Sequence, residues 1–84
     1  MKKIDIYTGV MCGYCDAAKH LLKKKKLEFN EINIATDPEK MDEMLKRSKN
    51  ARTVPQIFIG DTHVGGYQEL RDLEKKGELF NLAK

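Results

Sequence analysis

The first residues of the chain alternate. In KKIDIYT (2–8), Ile4 and Ile6 stand between polar or amphipathic neighbours, a period of two that predicts a β-strand. The period then lengthens. From Gly13 to about Lys26 the apolar or small residues Tyr14, Ala17, Ala18, Leu21 and Leu22 fall at i, i+3, i+4, i+7 and i+8, which places them on one face of a helix. EFNEINI (28–34) returns to alternation through Ile32 and Ile34. TDPEK then opens a second helix: Thr36 or Asp37 can cap it, Glu39 can complete a capping box from Thr36, and Pro38 suits its first turn. Met41, Met44 and Leu45 give this helix its apolar face, and Asn50 is the expected stop. QIFIGDTHVGG (56–66) reads as two short strands around a Gly60–Asp61 turn of type II′. GGYQELRDLEKKG follows with Leu70 and Leu73 facing inward and Gly77 as terminator, and Leu79, Phe80 and Leu82 are expected to pack a short last helix.

The order is strand, helix, strand, helix, strand, strand, helix. Strands joined through a helix run parallel with a right-handed crossover, and strands joined by a two-residue turn run antiparallel. The fold class expected is therefore α/β, a four-stranded mixed sheet flanked by helices. At 84 residues the chain suffices for one domain, spanning 1–84, and not for two cores.

Composition narrows the function. The longest apolar runs fall far short of the roughly 20 residues a membrane helix needs, and the start, MKKIDIYTG, has no uninterrupted apolar stretch of the secretory kind. No membrane role is expected. Two cysteines without a secretory signal favour a reducing, cytoplasmic setting over a disulfide-stapled secreted scaffold. The net charge of +3 is too small to indicate nucleic-acid binding, and the KKKK run at 23–26 reads as cations at a helix C-terminus.

The chemistry concentrates in TGVMCGYCDAAKHLL (8–22), which holds Cys12 and Cys15 where a turn becomes a helix. Three uses compete. Zinc would need Cys12, Cys15, His20 and His63, yet His20 sits five residues past Cys15 and faces about 140° away on a helix, and His63 lies near the hairpin turn, so no metal is expected. A disulfide closing so small a loop is a weak staple. Redox chemistry fits better. A thiolate at Cys12 would meet the unpaired N–H groups and positive end of the helix, which lowers its pKa, while Cys15, one turn deeper, is shielded but within reach.

CGYC, RTVPQIFIG and HVGGYQEL together resemble the glutaredoxins, the glutathione-using branch of the thioredoxin fold, and the likeness runs through nearly the whole chain. The resemblance implies a thioredoxin-like βαβαββα fold and a glutathione-dependent thiol–disulfide oxidoreductase acting in cell redox homeostasis. Cys12 would be the attacking thiol and Cys15 the resolving one. It implies a cis Val54–Pro55 bond, which presents the backbone of Val54 to glutathione as an added strand, and free N–H groups at Gly66 and Tyr67 for the γ-glutamyl carboxylate. Thr53 and Gln68 would border the groove and Tyr14 would form a wall, with core packing as the competing role of Tyr14. The implied partners are glutathione, as co-substrate, and disulfide-containing or glutathionylated proteins, with the protein itself a monomer.

Four positions depart from the family pattern. Gly13 stands where many members have proline, Gly9 where a lysine is common, Asp42 where the second helix often offers a basic or amide side chain, and Gln68 followed by Glu69 where Asp or Ser is frequent. Arg52 could take over part of the carboxylate binding. Two other functions stay open: a glutaredoxin-like electron donor reduced by thioredoxin reductase, and, through Gly13, a glutathione-ligated [2Fe–2S] cluster carrier in a dimeric form. Cys15 favours dithiol chemistry.

Overall fold

The computed structural model describes residues 1–84. Its elements are β1 (Ile4–Thr8), α1 (Gly13–Lys24), β2 (Asn30–Asn33), α2 (Pro38–Arg47), β3 (Gln56–Ile59), β4 (Thr62–Gly65), α3 (Tyr67–Lys75) and α4 (Leu79–Ala83). The four strands form one sheet in the order β2-β1-β3-β4. β1 runs parallel to β2, with Ile6 beside Glu31, and antiparallel to β3, with Ile6 beside Ile57. β3 and β4 are antiparallel, with an irregularity between Ile57 and Phe58. This is the mixed sheet flanked by helices that the pattern predicts.

The two central strands are buried on both faces. On one face Ile4, Ile6, Ile57 and Ile59 pack against Ala18 and Leu22 of α1, Leu70 of α3, and Leu79 and Ala83 of α4. On the other face a smaller cluster joins Tyr7 and Phe58 to Met44 of α2, with Met41, Ile32, Ile34 and Val54 around it. Alternation along β1 therefore does not separate core from solvent, because α2 covers the face that Asp5 and Tyr7 present. Asp5 is 7% exposed, and its carboxylate accepts from Arg47 Nη1 at 3.0 Å and from Asn30 Nδ2 at 3.2 Å. The same Arg47 nitrogen donates to the Tyr7 hydroxyl at 2.9 Å, and the guanidinium lies 4.2 Å from the Phe58 ring centroid.

The helix ends correct some sequence expectations. Asp37, not Thr36, caps α2, accepting from the Glu39 N–H at 3.2 Å, while the Thr36 hydroxyl donates to the Asn33 carbonyl. α2 stops at Arg47, ahead of Asn50; Lys49 and Asn50 then take φ of 56° and 75°, so the chain leaves through two left-handed residues. Lys23 and Lys24 occupy the last turn of α1, as cations at that end should. Gly60 has φ 59° while Asp61 stays out of the left-handed region, in keeping with a type II′ turn. In α4, Leu79 and Ala83 are buried, but Phe80 is 46% exposed and faces away from the core it was expected to fill.

Candidate active site

β1 ends at Thr8, and Gly9, Val10 and Met11 lead into α1. Met11 takes φ 49°, a left-handed conformation uncommon for a non-glycine residue, and its side chain is fully exposed. The turn delivers Cys12 to the N-cap of α1 in extended conformation, with Sγ accepting from the Cys15 N–H at 3.1 Å. Any negative charge on this sulfur is therefore met by a helix donor and by the positive end of the helix. Cys12 is partly exposed, Cys15 is 2% exposed, and the two are joined as a disulfide with Cα atoms 5.2 Å apart. The asymmetry is that of an outer, attackable sulfur and an inner, protected one.

Beside the sulfur lies the segment Thr53–Val54–Pro55, whose Val54–Pro55 peptide is cis. The Val54 carbonyl oxygen is 3.7 Å from Cys12 Sγ. The Val54 N–H has no hydrogen-bond partner within the chain, so one donor of this extended segment faces outward unpaired. A groove of about 360 Å³ opens here, lined by Tyr14, Thr53, Val54, Pro55, Gly66, Tyr67, Gln68 and Glu69. Tyr14 leaves the core face of α1: it is 69% exposed, and its ring stacks on Tyr67 with centroids 6.0 Å apart. That pair forms one wall, so the periodicity that assigned Tyr14 to the core misplaces it. Its position in the first turn of α1, one residue before Cys15, puts it on the rim.

The far end of the groove is the start of α3, with Gly66 as N-cap. The Gly66 N–H, expected to be free for a ligand carboxylate, instead donates to Glu69 Oε1 at 2.7 Å, so an internal carboxylate already takes the outermost donor. Gly65 ahead of it has φ 117°, and a Cβ there would stand 2.8 Å from Glu69 Oε1. The backbone conformation calls for glycine at this position, while the Glu69 carboxylate, the end of a flexible side chain, would have to shift to admit a Cβ.

The structure thus brings Cys12, Cys15, Tyr14, Thr53, Val54, Pro55, Gly66, Tyr67 and Gln68 to one place. Arg52 is exposed and does not line the groove. Three residues not expected at the site lie in or behind the groove. Glu69 stands at the third position of α3, where a carboxylate commonly reaches back to cap, so the spacing from Gly66 is a readable signal. Gln56 and His63 lie behind Thr53: Gln56 Nε2 is 2.9 Å from the Thr53 carbonyl oxygen and 3.1 Å from its hydroxyl, and His63 Nε2 is 2.6 Å from Gln56 Oε1. No pattern of period two or 3.6 marks that pair.

One charged cluster supports the loop before the thiol. Glu31 of β2 accepts from Lys19 of α1 at 3.0 Å and from the Thr8 hydroxyl at 2.9 Å, tying the end of β1 to α1. Hydrogen bonding to Lys19, opposed by burial and aided by Thr8, holds the Glu31 carboxyl below its usual range.

Residues 4–64 match the glutaredoxin family model. A curated glutaredoxin of Pseudomonas aeruginosa is 47% identical over 79 residues, covering 94% of this chain and 93% of that one. The solution structure of glutaredoxin from Brucella melitensis superposes with a TM-score of 0.84 at 49% identity, covering 100% of this chain and 90% of the other. A crystal structure of a buckwheat glutaredoxin–glutathione complex superposes with a TM-score of 0.84 at 25% identity, over 98% of this chain and 76% of that one.

Proposed function

This chain belongs to the glutaredoxin family, with its thioredoxin-like fold, and from that premise we propose that it is a glutathione-dependent thiol–disulfide oxidoreductase. It reduces protein–glutathione mixed disulfides and protein disulfides. The observation that carries the reading is the partly exposed Cys12, bonded to a buried Cys15 and facing a groove with the unpaired Val54 N–H and the start of α3. Glutathione is an extended peptide with a carboxylate at each end. Its backbone suits an unpaired strand-like segment, and its γ-glutamyl carboxylate suits a helix N-terminus. The buckwheat relative, whose structure contains glutathione, supports the same occupant for this groove.

The chemistry follows from the two sulfurs. With the pair reduced, the Cys12 thiolate, favoured by the Cys15 N–H, attacks the glutathione sulfur of a mixed disulfide. The protein thiolate leaves and takes a proton from solvent, and Cys12 is left glutathionylated. A second glutathione thiolate attacks the glutathione sulfur of that adduct, releasing oxidised glutathione and restoring the Cys12 thiolate. With a protein disulfide, Cys12 forms a mixed disulfide with one substrate sulfur. Cys15 then attacks Cys12, expels the second protein thiolate and leaves the Cys12–Cys15 bond seen here, which two glutathione molecules reduce. An attacking thiol works best with a pKa near ambient pH, which a single N–H donor and a helix end favour over extreme stabilisation. Exposed Val10, Met11 and Tyr14 surround the sulfur with apolar surface for the substrate polypeptide.

This reading places the protein in a reducing cytoplasm, where a glutathione pool regenerates it; no helix is long and apolar enough to cross a membrane. The test is a coupled assay of a small mixed disulfide with glutathione, glutathione reductase and NADPH. Turnover is expected in the wild type, abolished in Cys12→Ser and retained in Cys15→Ser. Turnover only with thioredoxin reductase would replace the glutathione reading, and equal loss in both mutants would overturn the assigned roles.

A further inference from the structure

Behind the groove, a chain of side-chain hydrogen bonds runs from β4 to the segment facing Cys12. Its polarity is set by one atom. The Thr53 carbonyl oxygen can only accept, so the Gln56 side-chain atom 2.9 Å from it is the amide nitrogen. That nitrogen also reaches the Thr53 hydroxyl at 3.1 Å. Gln56 Oε1 is then fixed on the opposite side as an acceptor, and His63 Nε2, 2.6 Å away, must carry the proton. The ring of His63 is held by stacking on Phe58, with centroids 4.7 Å apart, and Gln56 is 4% exposed. Neither side chain touches the groove.

The consequence lies in the next peptide plane. The Thr53–Val54 peptide is trans, so its C=O and N–H point in opposite directions. Drawing the Thr53 carbonyl toward Gln56 turns the Val54 N–H the other way, and that N–H is the donor without an internal partner.

We infer that His63 and Gln56 are positioning residues that hold the Val54 amide outward as a preformed donor for the backbone of an extended peptide bound in the groove. The inference rests on the reading of the groove as a glutathione site, although the geometry it asserts exists without ligand. A donor already oriented spares the substrate the ordering it would otherwise impose. Because the relay acts on binding and stays clear of both sulfurs, its loss is expected in KM and not in kcat.

Two measurements test it. The first is the tautomer of His63 by nitrogen NMR of the reduced wild-type protein without ligand, at about pH 8, above the ordinary imidazole range. The relay requires the proton on Nε2, and a proton on Nδ1 alone overturns it whatever the enzyme does. The second is the coupled assay. His63→Phe keeps the stack on Phe58 and removes the donor, and should raise KM for the mixed disulfide roughly 3- to 10-fold, the loss of one hydrogen bond, with kcat within about twofold. His63→Gln supplies an N–H again and should recover most of that loss. An unchanged KM in His63→Phe, or a folded His63→Gln protein no better than His63→Phe, refutes the relay. A wild-type protein with no glutathione turnover refutes the function and leaves the tautomer to decide the relay.

Discussion

Arg47→Met is the sharpest probe of how the second face of the sheet is held. Arg47 is the only cation bonded to Asp5, whose side chain is 10% exposed against 29% for the arginine. Methionine keeps much of the aliphatic stem but leaves a largely buried carboxylate with Asn30 as its remaining side-chain partner. Breaking a fully buried pair costs about 3–5 kcal/mol, and the partial exposure of Arg47 lets water reach this one, so about 2–3 kcal/mol is the appropriate range. Loss of the guanidinium from the Phe58 face adds roughly 0.5–1 kcal/mol. The sum, about 3 kcal/mol, is a large part of the 4–13 kcal/mol or so expected for a domain of this length. It corresponds to a fall in Tm on the order of 10–20 °C. The assay is urea unfolding of the oxidised protein for the wild type, Arg47→Met, Asp5→Asn and the double mutant. The double mutant removes the orphaned charge and should be about 1–2 kcal/mol more stable than Arg47→Met alone. If Arg47→Met loses less than about 1 kcal/mol, or Asp5→Asn recovers nothing in its background, the pair is not what holds this face.

Two other perturbations probe the surroundings of the site. The folded Glu31 carboxyl titrates below its ordinary value of 4.5, chiefly through Lys19, so its stabilisation is complete above that value and lost as pH falls through the lower folded one. Glu31→Gln should therefore be less stable than wild type by about 0.5 kcal/mol at neutral pH, the pair being partly exposed, with the gap closing in acid; a gap that persists at about pH 2 in urea titrations would refute the assignment. Gly65→Ala must accommodate a Cβ at 2.8 Å from Glu69 Oε1 on a backbone of φ 117°, and should lose about 1–3 kcal/mol and displace Glu69 from the Gly66 N–H, read in urea unfolding and in the Gly66 amide resonance.

The fold was legible because its elements differ in period and are separated by residues with narrow conformational roles. Ile4 and Ile6 alternate, Ala18 and Leu22 recur on one face of α1, and Pro38 and Gly60 mark a helix start and a turn. What escaped was the second layer. Asp5 and Tyr7 read as the solvent side of a strand because alternation cannot show that a helix forty residues later, carrying Arg47, will cover them. The same limit misassigned Phe80: helical spacing says that a residue shares a face, but so short a helix has no second turn to fix which face is buried.

At the site, the cysteine pair was legible from its place at a helix mouth, whereas Tyr14, Thr53, Val54, Pro55, Gly66, Tyr67 and Gln68 were marked only through the resemblance of CGYC, RTVPQIFIG and HVGGYQEL to the glutaredoxins. Gln56 and His63 carry no such mark. In sequence one is a polar residue opening a strand and the other a polar residue after a turn, and both would be assigned to solvent. They become a unit only because the antiparallel pairing of β3 with β4 sets Phe58 beside His63 and leaves the imidazole within reach of Gln56. Strand register is a long-range outcome, fixed by which faces are buried and by the turn between the strands. The cysteine pair can thus be read from local pattern, whereas the hydrogen bonds that join His63, Gln56 and Thr53 depend on the register and appear only once the sheet is assembled.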